Sequence, residues 1–449
     1  MKQKEALDIL KCGYNVFLTG APGSGKTFLV NKYIEYLKKN HISVSVTAST
    51  GIAATHMGGV TLHSWSGLGI REEVDEQEIK NICEKGYLRK RIKNTDVLII
   101  DEISMIKASQ FEAVNKICQY VKRIPRPFGG IQVVCSGDFF QLPPVEKEGK
   151  AIEFVNESDV WKTMEMKVCY LDEQHRTNDK KLNKILNHIR AAEAEKSKEL
   201  LSKVLIPMST TLSGHRGSSM HGKAGIGTKL YTHNIDVDSI NYSELAKIKG
   251  KEIFYQMNMR GNPVVAEILK KSCLAPEKLV LKEGAEVMFI KNNFEAGYVN
   301  GTQGKIIGFG ESDLPIVETQ DGQKIKVKYA DWSIEEDNFI VAGISQIPLR
   351  LAWAITVHKS QGMNLNSAEI DLSKCFLEGM GYVALSRLRT LKGLRLIGIN
   401  HLAFCVNKRA LEIDKQFIKL SKEATTEFKK MGALAISKRQ KMFVKYLGG

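Results

Sequence analysis

A glycine-rich segment, GAPGSGKT at positions 20–27, is the feature of this 449-residue chain that most restricts how it can fold. It follows a short apolar run, NVFLT, and precedes FLVNKYIEYLKK, whose apolar residues recur at helical spacing. A G-x-x-x-x-G-K-[ST] segment between a strand and a helix is typical of a phosphate-binding loop. Its glycines let backbone N–H groups approach phosphate oxygens, and the helix dipole adds to the attraction. The segment therefore predicts an α/β domain that binds a nucleoside triphosphate.

Two motifs carry the predicted hydrolysis. In the glycine-rich segment, Lys26 is expected to bridge the β- and γ-phosphates and Thr27 to ligate Mg²⁺. Asp101 and Glu102 follow the apolar run DVLII. A carboxylate at the carboxyl end of a strand can face the phosphate loop and hold Mg²⁺, and Glu102 can polarise the attacking water as a general base. Together the motifs predict an NTPase without indicating what the hydrolysis drives.

The rest of the chain alternates strand-like and helix-like segments, which favours βαβ units and a parallel sheet. The exceptions are a polar, charged insertion at 67–93 and a Gly/Ser/His-rich segment at 213–227, which is predicted to be a flexible loop. Residues 279–347 change to short alternating runs, with hairpin signals at Asn300-Gly301 and Asp321-Gly322. We expect that section to form a small β-barrel inserted in an α/β domain.

Composition restricts the partners. The chain carries 65 basic and 50 acidic residues, a net charge of +15, and from position 407 onward 11 basic residues face four acidic ones. Such a balance favours a polyanionic partner, nucleic acid before an anionic membrane. The eight cysteines form no C-x-x-C pair, which favours a reduced, intracellular protein without a zinc site. No secretory signal and no run of about 18 apolar residues occurs, so no membrane span is expected.

Further motifs occur in a fixed order along the chain. They are TASTGIAATHMGGVTLHSWSGLGI (47–70), GDFFQLPPV (137–145), LDEQHR (171–176), LAWAITVHKSQGMNL (351–365) and YVALSRLRT (382–390). With the phosphate loop and DEIS, they closely resemble the Pif-one (petite integration frequency) family of superfamily-one DNA helicases, with the RecD branch as the nearest neighbour. The resemblance extends over residues 3–399.

The resemblance implies roles at the nucleotide. Gln3 matches the adenine-recognising glutamine, and an exposed terminal glutamine is its alternative. Gln141 matches the γ-phosphate sensor, and a polar loop residue is the alternative. Arg176 and Arg387 match arginines directed at the γ-phosphate, where a guanidinium fork suits the spread charge; a surface salt bridge is the alternative for Arg387. The other predicted nucleotide-binding residues are Gly20, Ala21, Pro22, Gly23, Ser24, Gly25, Phe28 and Gly362.

The resemblance also implies a channel for single-stranded DNA. Its expected residues are Thr50, Gly51, His63, His358 and Lys359. Hydroxyls, backbone amides and lysine suit phosphate contacts, which carry no sequence information. Four aromatic residues offer base-stacking faces or, alternatively, belong to the core: Trp65, Phe139, Phe140 and Trp353. The chain departs from the family pattern at His175 and Thr177, beside the first arginine, and at Asn364, where a threonine is usual.

The resemblance implies an α/β fold of two tandem RecA-like P-loop motor domains with ATP between them. The expected first motor covers 1–66 and 94–168, with a small wedge-like helical or loop insertion at 67–93. The expected second motor covers 169–278 and 348–405, interrupted by a barrel of the Src-homology-three type at 279–347. A basic helical tail at 406–449 is expected either to contribute to DNA binding or to be a solvated helix packed on the second motor.

The implied function is ATP-dependent, 5′-to-3′ unwinding of duplex DNA with Mg²⁺ as cofactor. The expected partners are single-stranded DNA and tailed or forked duplexes. A preference for G-quadruplexes or RNA–DNA hybrids stays open, and a monomer without membrane contact is expected. Roles in DNA repair, recombination and telomere maintenance are implied.

Two alternative functions remain at this point. One is a nucleic-acid-stimulated ATPase that remodels without unwinding. The other is a RecD-like regulatory subunit of a nuclease complex, against which the short segment before the phosphate loop argues.

Overall fold

The computed structural model describes residues 1–69, 71, 74–144, 152–174, 179–202, 228–232, 237–273, 275–293, 295–336, 339–358 and 360–447. Over these ranges, no helix is both long and apolar enough to span a bilayer. The segment 213–227, which was predicted to be a flexible loop, lies outside the described residues.

A parallel sheet organises the first part of the chain, as the alternating pattern predicts. Its strands are β1 (Val16–Gly20), β2 (Val44–Ala48), β3 (Val60–Thr61), β4 (Val97–Asp101), β5 (Gln132–Ser136) and β6 (Lys167–Leu171). They are ordered β3-β2-β4-β5-β1-β6, and all pairs are parallel. Every residue of β1 and β5 is buried, because helices cover both faces of such a sheet. This sheet and its helices are called the first α/β unit.

Among the described residues, eight α-helices accompany the first sheet. They are α1 (Gln3–Lys11), α2 (Lys26–Lys39), α3 (Gly51–His56), α4 (Leu62–Ser66), α5 (Glu76–Cys83), α6 (Gly86–Asn94), α7 (Ala108–Lys122) and α8 (Asp159–Thr163). Helices α5 and α6 occupy most of the predicted insertion at 67–93 and pack on α7. Their apolar residues Ile82, Leu88 and Ile92 are buried, so this polar segment still joins the core of the unit.

The stretch after position 178 is helical and is divided in two, α9 (Lys180–Arg190) and α10 (Ala194–Ser202). The division falls at Ala192, which adopts the left-handed conformation with φ of 58°. Strand β7 (Thr228–Tyr231) and helix α11 (Val237–Lys247) follow. Both agree with the alternation of strand-like and helix-like segments in the sequence.

An antiparallel section comes next. It contains β8 (Ile253–Gln256), β9 (Asn258–Gly261), α12 (Pro263–Ser272), β10 (Lys278–Leu281), β11 (Glu286–Phe289), β12 (Gln303–Phe309), β13 (Pro315–Thr319), β14 (Lys324–Lys326), β15 (Ala330–Glu336), β16 (Phe339–Gln346) and β17 (Leu349–Leu351). Five of the strands form one sheet, β14-β13-β12-β11-β17; the others form the sheets β15-β16-β9 and β10-β8. The Asp321-Gly322 hairpin is confirmed between β13 and β14, with Gly322 at φ of 85°. The antiparallel strands extend on both sides of the predicted range 279–347.

A second parallel sheet is formed by strands that precede and follow this section in the chain. Its later elements are β18 (Ala354–Thr356), β19 (Ala368–Leu372), α13 (Met380–Ser386) and β20 (Leu394–Ile399). The order is β18-β7-β19-β20, so the antiparallel section lies in the chain between two neighbouring strands. We call this sheet with its helices the second α/β unit. Both units are consistent with RecA-like domains.

The last helix, α14 (Lys408–Tyr446), runs back over the first α/β unit. The Tyr170 amide of β6 donates to Ser421 Oγ at 3.0 Å, and the ring centroids of Phe17 and Phe417 lie 4.7 Å apart. Farther along, Arg439 Nε donates to the carbonyl of Cys12 at 3.2 Å. The expectation of a solvated helix packed on the second motor is therefore wrong, because the apolar face of α14 is buried against the first sheet.

Candidate nucleotide and nucleic-acid sites

The glycine-rich segment joins the carboxyl end of β1 to the amino end of α2. Gly20, Gly23 and Gly25 have φ values of 142°, 87° and 86°, which L-residues with side chains rarely adopt. A Cβ atom on Gly20 would lie 2.5 Å from the Leu171 carbonyl oxygen. The loop conformation therefore requires glycine for backbone and for packing reasons, and it leaves backbone N–H groups at the helix amino end.

Lys26 lies over this loop. Its Nζ donates to the carbonyls of Gly20 at 2.7 Å and Ala21 at 3.2 Å. Thr27 and Phe28 are exposed at the start of α2, while Pro22 and Ser24 are buried. Gln3, the first residue of α1, donates from Nε2 to the Ser24 carbonyl at 3.3 Å. The structure thus brings Gln3 to the phosphate loop, which a solvated terminal residue would not reach.

Asp101 ends β4, two strands away from the phosphate loop, and Glu102 follows in the left-handed conformation with φ of 51°. Burial and the neighbouring Asp101 raise the pKa of Glu102 to about 7, while Lys26 acts in the opposite direction. Burial also raises the pKa of Asp101, again opposed by Lys26. Since Lys26 affects both groups, the two motifs meet in one site. A carboxyl with a pKa near neutrality suits a general base.

Residues of the second α/β unit reach the same carboxylate. Gln361 Nε2 donates to Glu102 Oε2 at 3.1 Å, although 259 residues separate the two in the chain. Arg387, only 1% exposed at the end of α13, lowers the pKa of Glu102 by its charge. Its Nε donates to the Val383 carbonyl at 3.0 Å and its Nη2 to Ser386 Oγ at 2.9 Å. The guanidinium is therefore buried in the cleft, which rules out a surface salt bridge.

Two buried polar atoms are candidates for ligand contacts. Within the described part of the chain, Ser24 Oγ of the phosphate loop and Gln141 Oε1 have no hydrogen-bond partner. Gln141 is 6% exposed, and its backbone N–H donates to the backbone carbonyl of Asp138 at 3.0 Å. Buried polar atoms of native proteins normally have partners, so exceptions mark functional positions. Both atoms, together with the glycine loop and Lys26, fit a bound nucleoside triphosphate.

The site also includes a residue that the sequence did not suggest. Gln174 Nε2 donates to the Pro22 carbonyl at 2.9 Å and so connects the segment after β6 to the phosphate loop. Its position in the LDEQHR motif was the sequence signal that could have indicated this role. Arg176, predicted from the same motif, lies outside the described residues. Gly362 is exposed with φ of 79°, directly after Gln361, and a Cβ atom on it would have no neighbouring atom within 4 Å.

The predicted DNA residues lie on loops and helix starts of both units. Thr50 Oγ1 accepts from the Ala53 amide at 3.2 Å and caps α3, whose first residue is Gly51. His63 is on α4, and His358 follows β18. Burial lowers the pKa of both imidazoles, so each is mainly neutral at pH 7. Lys359 lies outside the described residues.

Three of the four candidate stacking aromatics belong to the core. Trp65, Phe139 and Phe140 are 2%, 4% and 2% exposed, and the ring centroids of Phe139 and Phe17 are 5.6 Å apart. Their alternative as core residues is therefore correct, because a base cannot stack on a ring that is already covered. Trp353 is half-buried and keeps part of its face accessible.

A cleft of about 860 Å³ separates the edge of the first sheet from the antiparallel section. Basic side chains line it, among them Lys38, Lys90, Arg91 and Lys291. None of the predicted DNA residues within the described ranges lines this cleft. Helix α12 of the antiparallel section packs on α3, which carries Gly51.

Comparison with known proteins gives consistent matches. The family model of PIF1-like helicases matches residues 2–204, and that of the 2B domain of DNA helicase Pif1 matches residues 265–309. The chain is 41% identical to the ATP-dependent DNA helicase Pif1 of Psychrobacter, over all of this chain and 75% of that protein. It is 34% identical to the protein of the same name from Bdellovibrio bacteriovorus, over 93% and 91% of the two chains.

A solved structure matches the whole arrangement. The Pif1 protein of Bacteroides in complex with ADP-AlF4 superposes with a TM-score of 0.78 at 30% identity, covering 93% of this chain and 96% of that one.

Proposed function

The chain belongs to the Pif1 family of DNA helicases, and from that premise we propose that it is an ATP-dependent DNA helicase that translocates 5′-to-3′ on single-stranded DNA. The observation that carries the proposal is the contact between Gln361 of the second α/β unit and Glu102 of the first, at 3.1 Å. A catalytic carboxylate that belongs to one unit and is contacted by the other can couple ATP hydrolysis to the movement of the two units relative to each other.

The proposed chemistry assigns a role to each group in the cleft. Lys26 would leave the carbonyls of Gly20 and Ala21 and contact the β- and γ-phosphates. Glu102, as a carboxylate, would accept the proton of the attacking water. Gln141 would sense the γ-phosphate, and Arg387 would stabilise the charge that develops on the transferred phosphoryl oxygens.

Mg²⁺ is the proposed cofactor. Thr27 and Asp101 would hold it, Thr27 from the amino end of α2 and Asp101 from the end of β4. When bound, the ion would neutralise charge on the phosphate oxygens. The proposed adenine contact is Gln3, which lies against Ser24.

Strand separation requires work at each step. Stacking amounts to about 1.4 kcal/mol per base-pair step, so spontaneous opening of several pairs is rare. Cleft closure on ATP and opening after hydrolysis would move the two DNA-binding surfaces, which carry Thr50, Gly51 and His63 in one unit and His358 and Lys359 in the other. Both halves of the ATP cleft come from one chain, which supports action as a monomer.

We further propose the domain division 1–66 with 94–168, 67–93, 169–278 with 348–405, 279–347 and 406–449, with two changes. The whole of β6 stays with the first α/β unit because it pairs with β1, and the antiparallel section extends from β8 to β17. The antiparallel section is proposed to be a barrel of the Src-homology-three type.

Unwinding assays on labelled duplexes test the proposal. The wild-type protein should open a duplex with a 5′ single-stranded tail when ATP and Mg²⁺ are present, and should leave a 3′-tailed duplex closed. Lys26→Ala should abolish ATP turnover but retain most single-strand binding, because the proposed ligands of Lys26 are the nucleotide phosphates and not the DNA. Forked duplexes, G-quadruplexes and RNA–DNA hybrids, tested in the same assay, define the preferred substrate.

The outcomes separate the alternatives. ATP turnover stimulated by DNA without strand separation would indicate a remodelling ATPase instead. Opening of the 3′-tailed duplex alone would overturn the direction, and turnover by Lys26→Ala close to that of the wild type would overturn the assignment of the ATP site.

A further inference from the structure

One buried ionic cluster joins segments that come from both α/β units. Its centre is the Arg190 guanidinium at the end of α9, and its other members are Asp138, Tyr170, Tyr382 and Asp414. Asp138 is fully buried, and the side chains of Arg190 and Asp414 are 11% and 15% exposed. We refer to these five residues as the Arg190 cluster.

Arg190 uses both terminal nitrogens. Nη1 donates to Asp138 Oδ1 at 2.8 Å, to Asp138 Oδ2 at 2.9 Å and to Tyr382 Oη at 2.9 Å. Nη2 donates to Tyr170 Oη at 2.8 Å and to Asp414 Oδ1 at 3.0 Å. The guanidinium also lies 4.2 Å from the centroid of the Phe140 ring. A planar fork with five donors can satisfy this many partners at once, and a lysine cannot.

Asp138 shapes the turn that presents Gln141. Its Oδ1 accepts from the backbone N–H of Phe140 at 3.2 Å, and its backbone carbonyl accepts from the backbone N–H of Gln141 at 3.0 Å. Because Arg190 holds the Asp138 carboxylate, it indirectly sets the position of the Gln141 side chain.

Tyr382 connects the Arg190 cluster to Arg387 through helix α13. Both lie on or at the end of α13, and Arg387 Nε donates to the carbonyl of Val383, the residue after Tyr382. Helix α13 also touches the Gln141 turn directly. A Cβ atom on Gly379, its N-cap, would lie 2.8 Å from the Phe140 carbonyl oxygen and 3.0 Å from that of Gln141.

The last two members extend the cluster to further elements. Tyr170 is on β6, and the segment after β6 carries Gln174, which donates to the phosphate loop at Pro22. Asp414 is on α14 and accepts from Tyr170 Oη at 3.1 Å. The cluster therefore joins three elements. They carry Gln141, the predicted γ-phosphate sensor, Arg387, which is predicted to be directed at the γ-phosphate, and Gln174, which donates to the phosphate loop.

A role in stability alone would not require an ion pair at the junction of these elements. A buried salt bridge contributes little net stability compared with apolar residues of the same shape, because desolvation offsets the attraction. We propose that Arg190 is a positioning residue for ATP hydrolysis, which fixes the turn that carries Gln141 relative to the helix that carries Arg387. This inference rests on the proposed ATPase function.

The decisive variant is Tyr382→Phe, which removes one oxygen from the cluster and leaves the ring in place. Its matched control is Tyr33→Phe. Tyr33 is equally buried and its hydroxyl donates to Gln132 Oε1 at 2.7 Å, inside the first α/β unit. Arg190→Lys retains the charge without the fork. Each variant is measured for DNA-stimulated kcat and KM with ATP, for affinity toward ADP and ADP–aluminium fluoride, and for denaturant unfolding.

Tyr382→Phe and Arg190→Lys should lower kcat by about tenfold or more, since small displacements of reacting groups have effects of this size. KM for ATP and the affinity for ADP should stay unchanged, while the affinity for ADP–aluminium fluoride should fall with kcat, because only the γ-phosphate geometry is altered. Tyr33→Phe should keep wild-type kcat even where it unfolds as easily as Tyr382→Phe.

Two results would overturn the inference in different ways. A Tyr382→Phe protein with the kcat and ADP–aluminium fluoride affinity of Tyr33→Phe would show that the cluster only stabilises the fold. Absence of turnover in the wild-type protein would instead refute the proposed function and the inference that rests on it.

Discussion

At the scale of single residues, the cleft adjusts the acidity of its carboxylates. Glu102 is surrounded by opposing influences: burial and Asp101 favour its neutral form, whereas Lys26, Arg387 and the Gln361 amide favour its charged form. The balance raises its pKa to about 7. A general base must be deprotonated to accept a proton, so Glu102 in its proposed role would act above this pH and not below it.

This balance predicts a pH dependence. The value of kcat/KM for ATP, which reports the free enzyme, should fall as the pH drops through about 7. Gln361→Leu removes a donor to the carboxylate and should move the midpoint to higher pH, because the charged form loses a hydrogen bond. Gln119→Leu, whose amide donates at the end of α7 to the carbonyls of Pro125 and Arg126, should leave it unchanged. A midpoint that Gln361→Leu does not raise would contradict this account of Glu102.

At the scale of elements, α14 behaves as two segments. Up to about Ala424 its apolar face is buried, and Phe417 packs with Phe17, Phe139 and Trp161. At Gly432 the backbone leaves the helical conformation, with φ of 72°, and Leu434 beyond it is 89% exposed. The first segment therefore belongs to the core of the first α/β unit, whereas the second lies on its surface.

The division of α14 predicts unequal costs for equal truncations. Phe417→Ala should destabilise the protein by about 3–5 kcal/mol, because it leaves a cavity between three aromatic rings. Leu434→Ala on the same helix should change the free energy of unfolding by less than about 0.5 kcal/mol, because the side chain is exposed. Denaturant unfolding monitored by tryptophan fluorescence and by circular dichroism measures both. Equal losses in the two variants would contradict the burial of the first segment.

At the scale of the whole molecule, charge favours contact with the DNA backbone. The chain has a net charge of +15, and the predicted DNA residues of both units offer hydroxyls, amides and a lysine. Such groups bind phosphates without reading bases. The basic residues after position 407 cannot be tested by removing the tail, because that would also delete Asp414 and Phe417. Substitution of exposed lysines is the appropriate test.

The expected binding to single-stranded DNA depends steeply on salt and weakly on sequence. Each neutralised phosphate contributes about −0.7 to the slope of log affinity against log salt, so a channel that contacts roughly five phosphates should show a slope of about −3 to −4. Titrations of labelled oligonucleotides of several sequences over a range of salt concentrations measure it. Affinity that ignores salt, or that differs by orders of magnitude between sequences, would contradict a translocase that holds phosphates.

The features that the sequence predicted correctly depend on neighbouring residues. The phosphate loop needs glycines at particular φ values between an apolar run and a helix, and a few consecutive residues specify this. The buried strands β1 and β4 and the Asp321-Gly322 hairpin follow from local patterns in the same way. Gln3 lies at the phosphate loop, and the adenine contact that the family resemblance implied for it stays a prediction.

The features that the sequence left undetermined join residues that are distant in the chain. Arg190 and Asp138 are 52 positions apart, Tyr382 and Asp138 are 244 apart, and Gln361 and Glu102 are 259 apart. A lone arginine in a helical stretch carries no local signal of such partners. The same holds for α14, whose basic composition suggested a solvated tail although its apolar face is buried on the first sheet. These contacts arise only when chain folding brings separate elements together, because burial and ion pairing depend on distance in space.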